Sequence, residues 1–208
     1  MKHINKSNET VKTYNKIAAK YAKKFHKPSY FLNKFASLLP KNAKILDVGC
    51  GPGTDSIYLK RKGLNVEGID LSRKMVKIAR QRFSSIKFKV MDMRSLKYPN
   101  SYFDGIVIAF SLIHISNQDI PKTLKELKRV LKNGGVIYFG LQEGKGEKFL
   151  ETPLDPRYKM FLHFFTIKEF TSLLKRFGFK VIFTARQRPK RKEEFQCNKL
   201  FIIARKMK

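Results

Sequence analysis

The stretch Ile45-Leu46-Asp47-Val48-Gly49-Cys50-Gly51-Pro52-Gly53 reads as an apolar strand that ends in an acid and runs into a glycine-rich turn. Thr54-Asp55-Ser56 then opens a helical pattern. Glycine is needed where backbone turns sharply or comes close to a ligand, because a Cβ would collide there. A strand, a glycine turn and a helix in this order build a cofactor cradle at the carboxyl end of a parallel sheet. Spacing narrows the cofactor. The dinucleotide fingerprint is G-x-G-x-x-G, but here the glycines stand at 49, 51 and 53, and Thr54 occupies the place of its third small residue. No G-K-[ST] ending follows, so the turn is not a P-loop. Two more acids end strand-like stretches. Asn65-Val66-Glu67-Gly68-Ile69-Asp70 closes on Asp70, 17 residues after Gly53, near the spacing at which an acid meets ribose hydroxyls. Ser72 behind it reads as a helix N-cap. Ile86 to Val90 is a third strand, followed by Met91-Asp92-Met93. Each acid alone reads equally as a turn residue. All three in order behind a glycine turn form a pattern. Asp104, at the start of a fourth strand, reads as structural.

Asp47, Gly49, Gly51 and Gly53 match D-x-G-x-G-x-G, the first motif of the class I S-adenosylmethionine-dependent methyltransferases, which this chain resembles from about Tyr14 to Lys206. The resemblance implies an α/β fold: a Rossmann-like, doubly wound, mostly parallel seven-stranded sheet with a C-terminal antiparallel strand pair and an N-terminal helical lid. It implies S-adenosyl-L-methionine as cofactor, cradled by the turn with Cys50 inside it. Cys50 itself reads as packing rather than as a nucleophile. Asp70, with Leu71 and Met75 near it, would then hold the ribose. Asp92 would accept from the adenine amino group between Met91 and Met93. Phe110 and Ser111, behind the fourth strand, would face the reacting methyl. Tyr14 and Tyr21, on the lid, would touch the methionine moiety; on the plain reading they pack in the core.

Methyl transfer from a sulfonium is an in-line displacement, and an activated donor leaves the protein mainly the task of positioning. A base is needed only for an acceptor that must lose a proton. His114 follows the fourth strand and titrates near neutrality, which makes it the candidate, against the alternative of a buried histidine bonded to backbone. Arg157-Tyr158, Phe161 to Phe165 and the helix Thr166 to Phe177 resemble the small-molecule branch of the family, related to ubiquinone-biosynthesis enzymes (methyltransferase types 11 and 25). That resemblance puts Arg157, Tyr158, Phe161, Phe164 and His114 at the acceptor. The same rings serve equally to close the core.

The rest of the chain must carry these residues. Its 208 residues predict one domain, with a lid over 1–40, a cofactor core over 41–141, and an acceptor-covering insert, last helix and hairpin over 142–208. Helices are expected over about 9–26, 30–39, 119–132 and 166–177. Strands are expected at 136–139, 180–185 and 199–204 besides those above. Alternating strands and helices with short links argue a parallel sheet covered on both faces. No apolar run approaches a membrane span, and no apolar stretch follows the basic start Met1 to Lys6. Cys50 and Cys197 form no disulfide framework, and no Cys/His cluster has zinc spacing. A reduced, cytoplasmic protein without a structural metal is the expectation.

The formal net charge of +29 opens a second reading. Such a surface attracts polyanions, and an RNA methyltransferase for tRNA or rRNA would use it. The excess is mostly Lys, spread along the chain, whereas Arg is preferred for bidentate phosphate recognition. No RNA-binding module is visible. A small-molecule acceptor is therefore the main reading, RNA the alternative, and a non-catalytic cofactor-binding protein of the same fold a third. The oligomeric state is not legible.

Overall fold

The structure is a computed structural model that describes residues 6–208; the reading of the basic start at Met1 to Asn5 lies outside the described residues. Five strands run parallel: β1 (Lys44–Val48), β2 (Asn65–Asp70), β3 (Lys87–Val90), β4 (Phe103–Ala109) and β5 (Leu131–Gln142). After a hairpin, β6 (Glu147–Thr152) and β7 (Asp155–His163), the chain adds β8 (Phe179–Gln187) and β9 (Lys199–Lys206). The sheet order is β3-β2-β1-β4-β5-β9-β8, with β9 antiparallel to both of its neighbours. This is the expected mostly parallel seven-stranded sheet with an antiparallel C-terminal pair.

Strand β1 is apolar along its buried length except for Asp47, because both faces of the sheet are covered. Successive side chains alternate between the two sides. Leu46, Val48, Ile106 and Ile108 pack with α5 (Ile120–Val130) and α6 (Ile167–Arg176), while Ile45 and Val107 pack with Phe35 of α2 (Leu32–Ser37) and Leu59 of α3 (Thr54–Arg61). The chain leaves β1 toward β2 on one side and later returns to β4 on the other. The crevice at that switch, beyond the carboxyl ends of the strands, is where doubly wound sheets bind ligands.

Helix α1 (Lys6–Lys24) crosses this crevice and is fastened by specific bonds. The Thr13 hydroxyl donates to the Lys159 carbonyl at 2.5 Å, and the Thr10 hydroxyl accepts from Phe161 N–H at 3.1 Å. Ser72 caps α4 (Arg73–Arg82) by accepting from Met75 N–H, as its type predicts, and its hydroxyl also donates to Asn15 of α1 at 2.8 Å.

The insert, to which the sequence assigns no element, is the β6–β7 hairpin, which pairs Glu147 with His163 through Glu151 with Lys159. Two helix expectations are corrected. Helix α5 stops at Val130 rather than Lys132, because pairing of Leu131 with Phe103 recruits the chain into β5, with Asn133-Gly134-Gly135 in the irregular stretch before Val136 resumes the pairing. The second helix is only Leu32–Ser37, entered through Phe31 at φ 63°.

Ser72→Ala removes both the cap of α4 and a tie to the helix above. A buried cap of this kind contributes about 2 kcal/mol. The thermal midpoint is expected to fall by roughly 4–8 °C for a chain of this size, measured by circular dichroism.

Candidate active site

The turn after β1 is built on two close approaches. Gly49 has φ +70°, and a Cβ there would sit 2.2 Å from the Ser111 Cβ. The Ser111 hydroxyl uses that space to donate to the Val48 carbonyl at 2.6 Å, tying the end of β4 to the end of β1. Gly51 has φ +51°, and its missing Cβ would point into open space, with the Tyr21 ring 4.0 Å away. The backbone at Gly51 is therefore bare toward the crevice, and its N–H donates to Asp70 at 2.9 Å.

Three carboxylates meet behind this turn. Asp47 is 2% exposed and accepts from the Ser56 hydroxyl at 2.5 Å. Asp55 accepts from the backbone N–H and hydroxyl of Ser29 at 2.8 and 2.7 Å. Asp70 accepts from Gly51 N–H with one oxygen and from Ser72 N–H with the other. None of the three forms an ion pair among the described residues. Burial raises all three pKa values, against the pull of these hydrogen bonds. Asp47 goes furthest, to about 8, because burial is joined by repulsion from Asp55 and Asp70.

The crevice holds two adjoining chambers that share Tyr14, Tyr21, Gly49, Gly51, Ala109 and Phe110 as a common wall. The smaller, about 90 Å³, is lined by Asp70, Leu71, Met75, Met91, Asp92, Met93 and Ser111. The larger, about 280 Å³, takes in Asp47, Cys50 and Asp55 and opens toward Phe25, Ile113, Gln142, Leu154, Met160 and Phe195. Phe110, on the common wall, has φ +57°, a conformation bulky residues rarely adopt. Its ring packs on Gly140 and meets Phe201 edge-on at 5.8 Å.

Of the residues expected at the cofactor, only Gly53 lines neither chamber. It is a packing position instead: a Cβ there would meet Phe88 at 2.9 Å and Phe83 at 3.0 Å. Asp92 faces the smaller chamber but is gripped by Arg94, whose guanidinium donates to both carboxylate oxygens and also reaches Asp119 at 2.9 Å. Burial would raise the Asp92 pKa, but Arg94 outweighs it and holds the group below its usual value. Arg94 had no signal in the sequence beyond its nearness to Asp92.

His114 lines the smaller chamber, not the larger one. Its Nδ1 must donate to the Phe161 carbonyl at 2.8 Å, since a carbonyl only accepts. Nε2 therefore accepts from the Tyr14 hydroxyl at 2.8 Å. Burial lowers the ring's pKa to about 4, so it is neutral near pH 7. With both nitrogens engaged, His114 is no free base; Tyr14 stands between it and the larger chamber. The four other acceptor candidates lie outside both chambers. Arg157 is exposed and paired with Asp155, and Tyr158, Phe161 and Phe164 line neither chamber. Strand alternation explains this: in β7, Phe161 is buried beneath Lys6 and Phe149, and its neighbour Met160 reaches the chamber. The hairpin tip, Thr152-Pro153-Leu154, supplies the rest of that wall.

Residues 45–135 match the family described as a methyltransferase domain. Over 106 residues the chain is 40% identical to YqeM of Bacillus subtilis (strain 168), a methyltransferase by name, across 49% of this chain and 43% of that protein. Over 137 residues it is 33% identical to the demethylmenaquinone methyltransferase of Tropheryma whipplei (strain Twist), across 61% of this chain and 56% of that one. The chain thus spans about half the length of these relatives. Among solved structures, it resembles a SAM-dependent methyltransferase of Methanosarcina mazei with a TM-score of 0.77 and 24% identity, over 86% of this chain and 99% of that chain. It resembles the cyclase SpnF with a TM-score of 0.76 and 17% identity, over 97% and 96%. It also resembles the 1,6-didemethyltoxoflavin-N1-methyltransferase of Burkholderia thailandensis, solved with 1,6-didemethyltoxoflavin and S-adenosylhomocysteine, with a TM-score of 0.72 and 19% identity, over 97% and 87%. At these identities the likeness to solved structures is one of fold.

The Asp47 carboxyl titrates near pH 4 when unfolded and near 8 when folded. A raised folded pKa gives stability that is present at low pH and lost as pH rises through that window. Asp47→Asn keeps an acceptor for Ser56 but cannot ionise. Its thermal midpoint relative to wild type is expected to be higher at about pH 8.5 than at about pH 5, measured by calorimetry without ligand. An offset equal at both pH values would remove Asp47 as the titrating group.

Proposed function

We propose that this chain, which belongs through residues 45–135 to the class I S-adenosylmethionine-dependent methyltransferases, moves a methyl group from S-adenosylmethionine to a small-molecule acceptor. One observation carries the reading: the carboxyl ends of the first four strands surround adjoining chambers rather than separate cavities, with Gly51 on the shared wall. The donor set fits the cofactor. The bare backbone at Gly51 leaves room for a ligand that a Cβ would displace. Asp70 retains lone pairs for ribose hydroxyls. Asp92 with Met91 and Met93 suits the adenine end. The uncompensated acids Asp47 and Asp55 suit a cationic amino-acid end, since an opposite charge favours their ionised form. When bound, S-adenosylmethionine supplies an electrophilic methyl on a sulfonium.

The chain's own residues then position and exclude. Tyr14, Tyr21 and Phe25 form a continuous ring ladder across the chambers, with centroids 5.7 and 4.6 Å apart. They keep water from the junction where donor and acceptor meet. Holding two reactants in one orientation can itself supply most of the rate. Tyr14 is the hydroxyl at the junction, and its bond to His114 Nε2 fixes where that hydroxyl points. His114 acts here through Tyr14 and not on the acceptor.

The acceptors printed in the names of the relatives and of the Burkholderia structure support the small-molecule reading for this chain. The RNA alternative rests on the charge of +29, and the crevice itself is lined by acids. Residue roles in both chambers belong to this proposal.

Calorimetry with S-adenosylmethionine tests it. Asp70→Ala removes charged hydrogen-bond acceptors, each worth about 1.5–3 kcal/mol, so affinity is expected to drop roughly 10- to 100-fold. Asp104→Ala is the control. Asp104 holds Lys44 N–H and Lys132 at the far end of β4, as its structural reading predicts, and its loss is expected to leave affinity unchanged. Binding indifferent to Asp70→Ala would sink the assignment.

A further inference from the structure

The polar end of the larger chamber holds two hydrogen-bond donors that cofactor binding does not use. Gln142 closes β5, Lys199 opens β9, and the two are direct partners in the antiparallel ladder. Direct cross-strand partners project from the same face of a sheet, with Cβ atoms about 5 Å apart. Both line the chamber, although Gln142 is only 5% exposed and Lys199 8%. The Gln142 amide oxygen is taken: it accepts from the Cys197 thiol at 3.2 Å. Burial raises the pKa of that thiol, which keeps it an S–H donor. The Gln142 amide nitrogen has no partner among the described residues. Lys199 gives one bond to Glu194 at 2.8 Å, and an ammonium has three donors. Glu194 is further occupied by Lys190 N–H, and Glu193 by Lys24. Around these donors stand Phe25, Phe110, Phe195, Leu154 and Met160. An apolar, aromatic chamber with a few convergent polar groups is how proteins hold small ligands. The Gln142 amide nitrogen is thus open to the chamber rather than sealed in the protein, since no buried side-chain polar atom among the described residues lacks a partner.

We propose that Gln142 and Lys199 recognise the methyl acceptor, and that the acceptor is a flat, unsaturated small molecule whose oxygen accepts from the Gln142 amide nitrogen and the Lys199 ammonium. The shared chemistry is an electron-rich oxygen on a ring or conjugated system, such as a phenol or enol. A cationic amine acceptor is the wrong class, because neither donor can accept from it and Lys199 repels it. This deepens the methyltransferase reading and rests on it: the end of the larger chamber away from Asp47 and Asp55, at Gln142 and Lys199, takes the acceptor.

The test uses the full chain loaded with S-adenosylhomocysteine. 1-Naphthol is titrated against it, with naphthalene as the matched ligand lacking the oxygen. Wild type is expected to bind 1-naphthol about tenfold more tightly than naphthalene, the margin of one net hydrogen bond. Gln142→Met, similar in volume, is expected to shrink that margin severalfold, to what Lys199 alone supplies, while binding naphthalene as wild type does. Gln142→Asn, which keeps the amide but draws it back from the chamber, is the second variant and is expected to shrink the margin too. A margin unchanged in both variants, or no margin in wild type, overturns the proposal. Failure of the wild type to bind S-adenosylhomocysteine would overturn the cofactor reading itself, and this assignment with it.

Discussion

Three carboxylates at one end of a sheet, Asp47 buried and Asp55 and Asp70 half-buried, with no cation among the described residues to pair with them, set the terms for the rest of this molecule. Burying a charge without a partner is among the costliest arrangements a fold can hold. Here the cost is limited by backbone and hydroxyl donors: Gly51, Ser72, Ser29 and Ser56 each give a hydrogen bond to one of the acids. Those donors exist only because the glycine turn, the cap of α4 and the start of α3 come together at the switch between β1 and β4. The sheet topology, the glycines and the acids are therefore one arrangement rather than three features.

The cover over this crevice is assembled from parts far apart in the chain. Helix α1 is bonded to β7 through Thr10 and Thr13, and to α4 through Asn15. The segment before β9 reaches the end of α1, where Arg191 donates to the Lys24 carbonyl at 3.3 Å and Glu193 pairs with Lys24. Lys6 and Glu147 join the start of α1 to the hairpin. Individually such exposed pairs contribute little. Together they define which surfaces meet, and so the outline of the larger chamber.

Much of this was legible in the sequence where the determinants are local. A strand, its turn and the helix behind it lie within a dozen residues, so Asp47, Gly49 and Gly51 declared themselves, and Ser72 declared the cap. Asp70 and Asp92 followed from the same logic repeated. The acceptor side was less legible for the opposite reason. Whether Met160 or Phe161 meets the chamber depends on the face of a two-stranded hairpin, which a short aromatic run does not specify. His114 was noticed for its type, but its partners, Phe161 O and Tyr14, lie 47 and 100 positions away. Gln142 and Lys199 carry no local signal at all, and only the β5–β9 register makes them neighbours. The fold alone does not fix the chemistry either, since a cyclase shares it with methyltransferases.

Phe110 is held in a left-handed backbone conformation at the wall between the chambers. A bulky residue there costs of order 1–3 kcal/mol, which the packing of its ring on Gly140 and Phe201 offsets. Glycine at that position would relax the chain, yet it would also take a ring out of the wall that the two chambers share. Local ease and a filled wall are thus opposed at this residue, and the sequence has kept the ring.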